Sequence, residues 1–113
     1  MSGEDCIFCQ IIAGDIPSEK VMADDEFLAI RDAFPKAPVH VLVMPRTHLP
    51  SLNEIGEMSP ELCRRMLEFI VRTAGKLGVD GSGYRVITNI GEGGGQEVMH
   101  LHWHLIAGKS LGF

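Results

Sequence analysis

Three of the chain's five histidines fall within His100-Leu101-His102-Trp103-His104-Leu105-Ile106. Imidazole is the side chain whose ordinary pKa lets it act near neutrality as nucleophile, proton carrier or metal ligand. The alternation has period two, so an extended chain points all three rings to one side and Met99, Leu101, Trp103 and Leu105 to the other, whereas a helix scatters them. A rise of about 3.3 Å per residue separates His100 from His104 by about 13 Å, while zinc sits about 2.0 to 2.1 Å from a ligating nitrogen, so one ion cannot be shared by all three. The stretch Ile90-Gly91-Glu92-Gly93-Gly94-Gly95-Gln96 precedes the row. Glycine lacks a Cβ, so this backbone can approach an anion closely, and Gln96 and the neighbouring amides are expected to face phosphate oxygens. Far from the row in sequence, Cys6 and Cys9 form a C-x-x-C pair, a spacing that either sets two thiolates beside a metal or makes a redox couple. Gly108-Lys109-Ser110 imitates the end of a P-loop, but the glycine required five positions earlier is Trp103, which removes that reading.

Ten Lys and Arg against fifteen Asp and Glu give a net charge of -5, which removes the basic footprint needed to wrap a nucleic-acid backbone. A small anion bound by backbone amides stays open. No stretch approaches the roughly 20 apolar residues of a membrane span, and the opening Met1-Ser2-Gly3-Glu4-Asp5 lacks the basic start of a secretory signal, so a cytoplasmic protein with no membrane partner is expected. Cys6, Cys9 and Cys63 are too few and too odd in number for a disulfide framework. A length of 113 residues with 45% hydrophobic content suits one core, hence a single domain over residues 1–113.

The elements that position these groups follow from periodicity. Ile7, Phe8, Ile11 and Ile12 recur at helical spacing before Gly14, predicting a short helix over residues 6–13. Extended runs at 19–22 and 27–32 flank the turn-like Ala23-Asp24-Asp25-Glu26, and a third strand over 39–44 stops at Pro45. Ser59-Pro60-Glu61 is a helix start, hydroxyl cap then proline, and Leu62, Met66, Phe69, Ile70, Thr73 and Leu77 line one face as far as Gly78. Cys63 on that helix reads as packing. A fourth strand is expected over 84–89 and a fifth over 98–107.

The row His-φ-His-φ-His-φ-φ at 100–106, with φ apolar, joins Cys6-Ile7-Phe8-Cys9, Arg31-Asp32, Pro35-Lys36-Ala37-Pro38-Val39-His40, Asn89 and Gly94-Gly95-Gln96-Glu97-Val98-Met99. With these the chain resembles the histidine-triad (HIT) superfamily, and within it the Hint-like nucleoside phosphoramidate hydrolases of the zinc-containing bacterial type. The resemblance implies an α+β HIT fold: a five-stranded, mostly antiparallel sheet with one long helix on one face, the histidines on the other and one short helix, paired as a homodimer through the long helix and adjacent strand edges. It implies hydrolysis of purine nucleoside 5′-phosphoramidates, and of acyl-nucleotides, at the α-phosphorus. Cleavage of dinucleoside polyphosphates, or a nucleotide-binding or partner-binding module with incidental turnover, are the rival readings.

By the same resemblance His102 is the nucleophile that forms a nucleotidyl-histidine. A backbone carbonyl on its far N–H would fix the tautomer and leave the lone pair for phosphorus. His104, one strand step along, is placed to hydrogen-bond a phosphate oxygen or the leaving atom, and His40 to make a relay contact with the row. Glu97 stands where eukaryotic relatives commonly carry serine, a departure shared by bacterial-type members, and is assigned to the leaving group or to water. Asp32 accepts from ribose hydroxyls, and Ile7, Phe8, Ile11, Ile30 and Ala33 form the slot for the base. Arg31 either stacks on the base or is only solvated, and Asn89 and Gly95 lie beside sugar and phosphate. The resemblance completes Cys6 and Cys9 with His48 and His100 into a closed, structural zinc site, with no organic cofactor.

Overall fold

Residues 6–112 are described in a computed structural model, and the opening Met1 to Asp5, read above for a secretory signal, and Phe113 lie outside the described residues. Helix α1, Ile7–Ile12, begins at Cys6, an extended residue whose Sγ accepts the Cys9 N–H at 3.4 Å. Gly14 follows it at φ +87°, the left-handed geometry that ends helices. Strands β1 (Lys20–Ala23) and β2 (Phe27–Arg31) form the expected hairpin. Its turn is fixed by the Asp24 carboxylate, which accepts the N–H groups of Glu26 and Phe27 at 2.8 and 2.7 Å. Strand β3 runs Val39–Pro45, one residue past the expected end, with Pro45 as its last residue opposite Phe27. Helix α2, Pro60–Lys76, is capped by the Ser59 hydroxyl, which accepts the Leu62 N–H at 3.1 Å. Strands β4 (Arg85–Ile87) and β5 (Trp103–Ala107) complete an antiparallel sheet of order β1-β2-β3-β5-β4.

The fifth strand is shorter than expected. The β3–β5 ladder ends at Val43 opposite Trp103. Before it the backbone bends, because the Leu101 N–H donates to the Leu49 carbonyl and the Thr88 hydroxyl to the His102 carbonyl, at 2.6 and 2.7 Å. His100 and His102 therefore precede the strand, and only His104 stands on it. Two 3₁₀ turns, Leu52–Glu57 and Glu92–Gly94, carry no periodic signal and were not expected.

Alternation along β2 and β3 divides the core. Phe27, Ala29, Val41 and Val43 face α2, packing with Met66, Phe69, Ile70, Leu101 and Leu105. Leu28, Ile30, Leu42 and Met44 face α1, packing with Cys6, Phe8 and Ile11. Residues opposite each other in an antiparallel pair share a face, so His104, opposite Leu42, lies on the α1 side, and His40, two residues before Leu42, lies there too. The sheet thus holds His40 and His104 away from the long helix, as the resemblance implies.

Candidate active site

Between α1, the end of β2, the loop after it and the glycine-rich turn lies a cavity of about 1110 Å³. Of the residues singled out from sequence, Ile7, Phe8, Ile11, Ile30, Arg31, Asp32, Ala33, His40, Asn89, Gly95, Glu97, His102 and His104 line it. Gln96 does not. Its buried amide accepts the Gly91 N–H at 2.9 Å and donates to the carbonyls of Pro50 and Val98 at 2.6 and 2.9 Å, which consumes both ends of the group. The N–H groups of Gly94, Gly95 and Gln96 also donate inside the turn. Gln96 therefore clamps the loop, its amide turned to protein partners. Gly91 and Gly95, at φ +69° and +82°, supply the left-handed backbone this tight turn requires.

His102 is buried, its ring edge-on to Phe8 at 4.8 Å between centroids. Its Nδ1–H donates to the His100 carbonyl at 2.7 Å, so the lone pair is left on Nε2. Burial lowers its pKa, against a smaller opposing pull from that carbonyl, Asp32 and Glu97. The ring is neutral at neutral pH, while the nearby carboxylates favour positive charge once it develops.

A second chain of bonds fixes the other tautomers. The Lys36 N–H donates to His40 Nδ1 at 3.1 Å, so the His40 proton lies on Nε2, 2.9 Å from His104 Nδ1 and 3.4 Å from an Asp32 oxygen. His104 accepts at Nδ1 and keeps its own proton on Nε2, the nitrogen left to reach a ligand. Burial, with repulsion from His102 and His40, pushes His104 down to about 4, and burial also lowers His40. Asp32, His40 and His104 are close enough together for a metal, but both His40 nitrogens are engaged, which makes this trio a hydrogen-bond relay. Asp32 also accepts the Phe34 N–H at 2.8 Å, and Arg31 is held at the rim by Glu19 at 2.6 Å.

The C-x-x-C pair meets His48 and His100. Cys6 Sγ is 3.4 Å from His100 Nδ1, and Cys9 Sγ is 3.5 Å from the same atom and 3.3 Å from His48 Nδ1. Tetrahedral zinc with bonds of about 2.3 Å to sulfur and 2.0 to 2.1 Å to nitrogen sets S···N edges of about 3.6 Å, close to these spacings. The His100 Nε2–H donates to the Pro45 carbonyl at 2.8 Å, which leaves Nδ1 facing the thiols. Burial, with the neighbouring Cys6, pushes the Cys9 thiol up to about 11, and burial pushes His100 down to about 4. The four residues lie close enough to bind a metal ion and fit zinc.

Sequence reasoning missed Leu42 and Ile106 as lining residues, although both share a sheet face with His40 and His104, and missed Phe34 and Lys36 on the loop after Asp32.

Residues 13–111 match the family described as HIT domain. A purine nucleoside phosphoramidase of Escherichia coli K12 is 39% identical over 109 residues, covering 96% of this chain and 92% of that protein. An uncharacterized HIT-like protein of Helicobacter pylori is 43% identical over 102 residues, covering 90% of this chain and 95% of its own. The structure of a histidine triad protein from Clostridium difficile superposes with a TM-score of 0.92 at 46% identity, covering 100% of this chain and 98% of that one.

Proposed function

Since the chain belongs to the HIT domain family and has its fold, we propose that it is a Hint-like hydrolase of purine nucleoside 5′-phosphoramidates, with His102 as covalent nucleophile. The observation that carries this reading is the His102 Nδ1–H to His100 carbonyl bond of 2.7 Å, which leaves an unprotonated Nε2 on a buried, neutral ring at the cavity wall. The name of the Escherichia coli relative supports the substrate class.

The base enters the apolar slot of Phe8, Ile11 and Ile30, and Asp32 accepts from the ribose. His102 Nε2 attacks the α-phosphorus, and the bond from phosphorus to the leaving nitrogen breaks. The departing nitrogen takes a proton from water at the cavity mouth. His104 donates its Nε2–H to a phosphoryl oxygen or the leaving atom, and the His40 relay keeps that proton in place. The phosphorylated ring is cationic, and the His100 carbonyl, Asp32 and Glu97 stabilise it. Water then attacks phosphorus and the bond to Nε2 breaks, releasing the nucleoside monophosphate and restoring neutral His102. Cys6, Cys9, His48 and His100 would hold a structural zinc ion, whose charge would compensate the thiolates and tie α1 to the catalytic segment.

Replacing His102 with Ala is expected to cut turnover of adenosine 5′-phosphoramidate by about 10³-fold or more while adenosine monophosphate still binds. A variant that keeps turnover, or a wild type that binds the nucleotide and never hydrolyses the amidate, contradicts the proposal.

A further inference from the structure

The C-x-x-C pair has a second chemistry that a structural zinc tie leaves unused. Cys6 caps α1 and Cys9 stands three residues on, so the two thiols share one side of the first helical turn, where the Cys6 Sγ accepts the Cys9 N–H at 3.4 Å. The donor atoms of Cys6, Cys9, His48 and His100 all lie within 4.8 Å of one another, so the two sulfurs are neighbours at the spacing of thiol–disulfide couples. Their access to solvent differs. Cys6 is 1% exposed, whereas Cys9 is only half-buried. An oxidant therefore meets Cys9 first, with Cys6 behind it as a resolving thiol. Cys63, on α2, packs in the core on the opposite face of the sheet from Cys6 and Cys9 and is no partner for either.

Of the two rings in the cluster, His100 keeps an anchor of its own, its Nε2–H on the Pro45 carbonyl at 2.8 Å, while the buried Nε2 of His48 has no hydrogen-bond partner among the described residues. Helix α1 depends on the cluster still more, since it carries both sulfurs together with Phe8 and Ile11 of the cavity wall. Phe8 stands edge-on to His100 and His102, at 5.9 and 4.8 Å between centroids. Resting on the zinc and nucleotide readings above, we infer that Cys6 and Cys9 form a redox switch: oxidation by a peroxide to the disulfide releases the metal and loosens the nucleotide pocket, and a reducing thiol with zinc restores both. The Cys9 thiolate attacks a peroxide oxygen, the O–O bond breaks and hydroxide leaves, giving the sulfenic acid. The Cys6 thiolate then attacks the Cys9 sulfur, the S–S bond forms and a second hydroxide leaves. Two electrons pass from the thiolates to peroxide, and the hydroxides take up protons as water. Neither sulfur keeps the negative charge a zinc ligand needs, so the site is left with its two histidines.

The experiment treats the purified, reduced, zinc-loaded protein with excess hydrogen peroxide and follows three readouts in time: zinc released to a colorimetric chelator, an intramolecular disulfide in the peptide containing Cys6 and Cys9 by mass spectrometry, and adenosine monophosphate affinity by titration. The three move together. Zinc leaves as the disulfide forms, the Kd for the nucleotide rises about fivefold or more, and dithiothreitol with added zinc reverses all of them. Cys63→Ser behaves as wild type. Zinc retained under peroxide, thiols that pass to sulfinic acid without a disulfide, release that requires Cys63, or a disulfide that leaves nucleotide affinity unchanged each overturns the inference while the zinc reading stands. A purified protein that holds no zinc after reduction and zinc loading overturns the zinc reading and the switch with it. A reduced, zinc-loaded protein that does not bind the nucleotide overturns the nucleotide reading and, with it, the coupling claimed here.

Discussion

At the scale of single residues the site rests on protons placed by backbone groups. The His100 carbonyl sets the tautomer of His102, and the Lys36 amide sets that of His40 and through it His104. With His104 held near 4, the acid limb of kcat/KM should lie well below the ordinary histidine value of about 6.5, and a limb at 6.5 or above would contradict the burial argument. Gln96 acts on the shape of the turn, so Gln96→Ala should raise KM and lower thermal stability together, as measured by steady-state kinetics and thermal melting. An effect on KM alone would return Gln96 to direct ligand contact. The histidine row is legible in sequence because period two survives as a shared direction. The role of Gln96 is not, since its partners Gly91 and Pro50 are brought to it only by the folded loop.

At the scale of elements α1 is short, six residues long, and attached through Phe8, Ile11 and the thiols. Such a helix is marginal alone and depends on its tertiary contacts. A chelator, or Cys9→Ser, should therefore lower the melting temperature and weaken adenosine monophosphate binding in parallel, because the same helix lines the cavity with the residues proposed to hold the base. Melting and affinity unchanged by metal removal would contradict a zinc tie. Helix α2 is readable from Ser59, Pro60 and the 3.6-residue apolar stripe, which agree locally. The start of β5 is not, because it is decided by the Leu49 and Thr88 contacts, remote in sequence, that draw residues 101 and 102 out of the ladder.

At the scale of the molecule two properties follow. The outer face of α2 exposes Leu67 and Val71 at 52% and 59%, and the β4 edge exposes Val86, a surface suited to pairing copies of this chain through α2 and the strand edge. Light scattering at micromolar concentration should report a dimer and Leu67→Asp a monomer, whereas a monomeric wild type contradicts this. Stability should also depend on pH. His104 binds its proton at about 4 when folded and near 6.5 when unfolded, so its contribution is intact above 6.5 and is lost as pH falls toward 4; burial of His40 and His102 acts in the same direction. The proposed chemistry turns on one nitrogen, His102 Nε2, and mass spectrometry of enzyme quenched within milliseconds of mixing with adenosine 5′-phosphoramidate tests it most directly. The account predicts a transient adenylyl group on the peptide containing His102. Rapid turnover with that peptide unmodified at every quench time would contradict it.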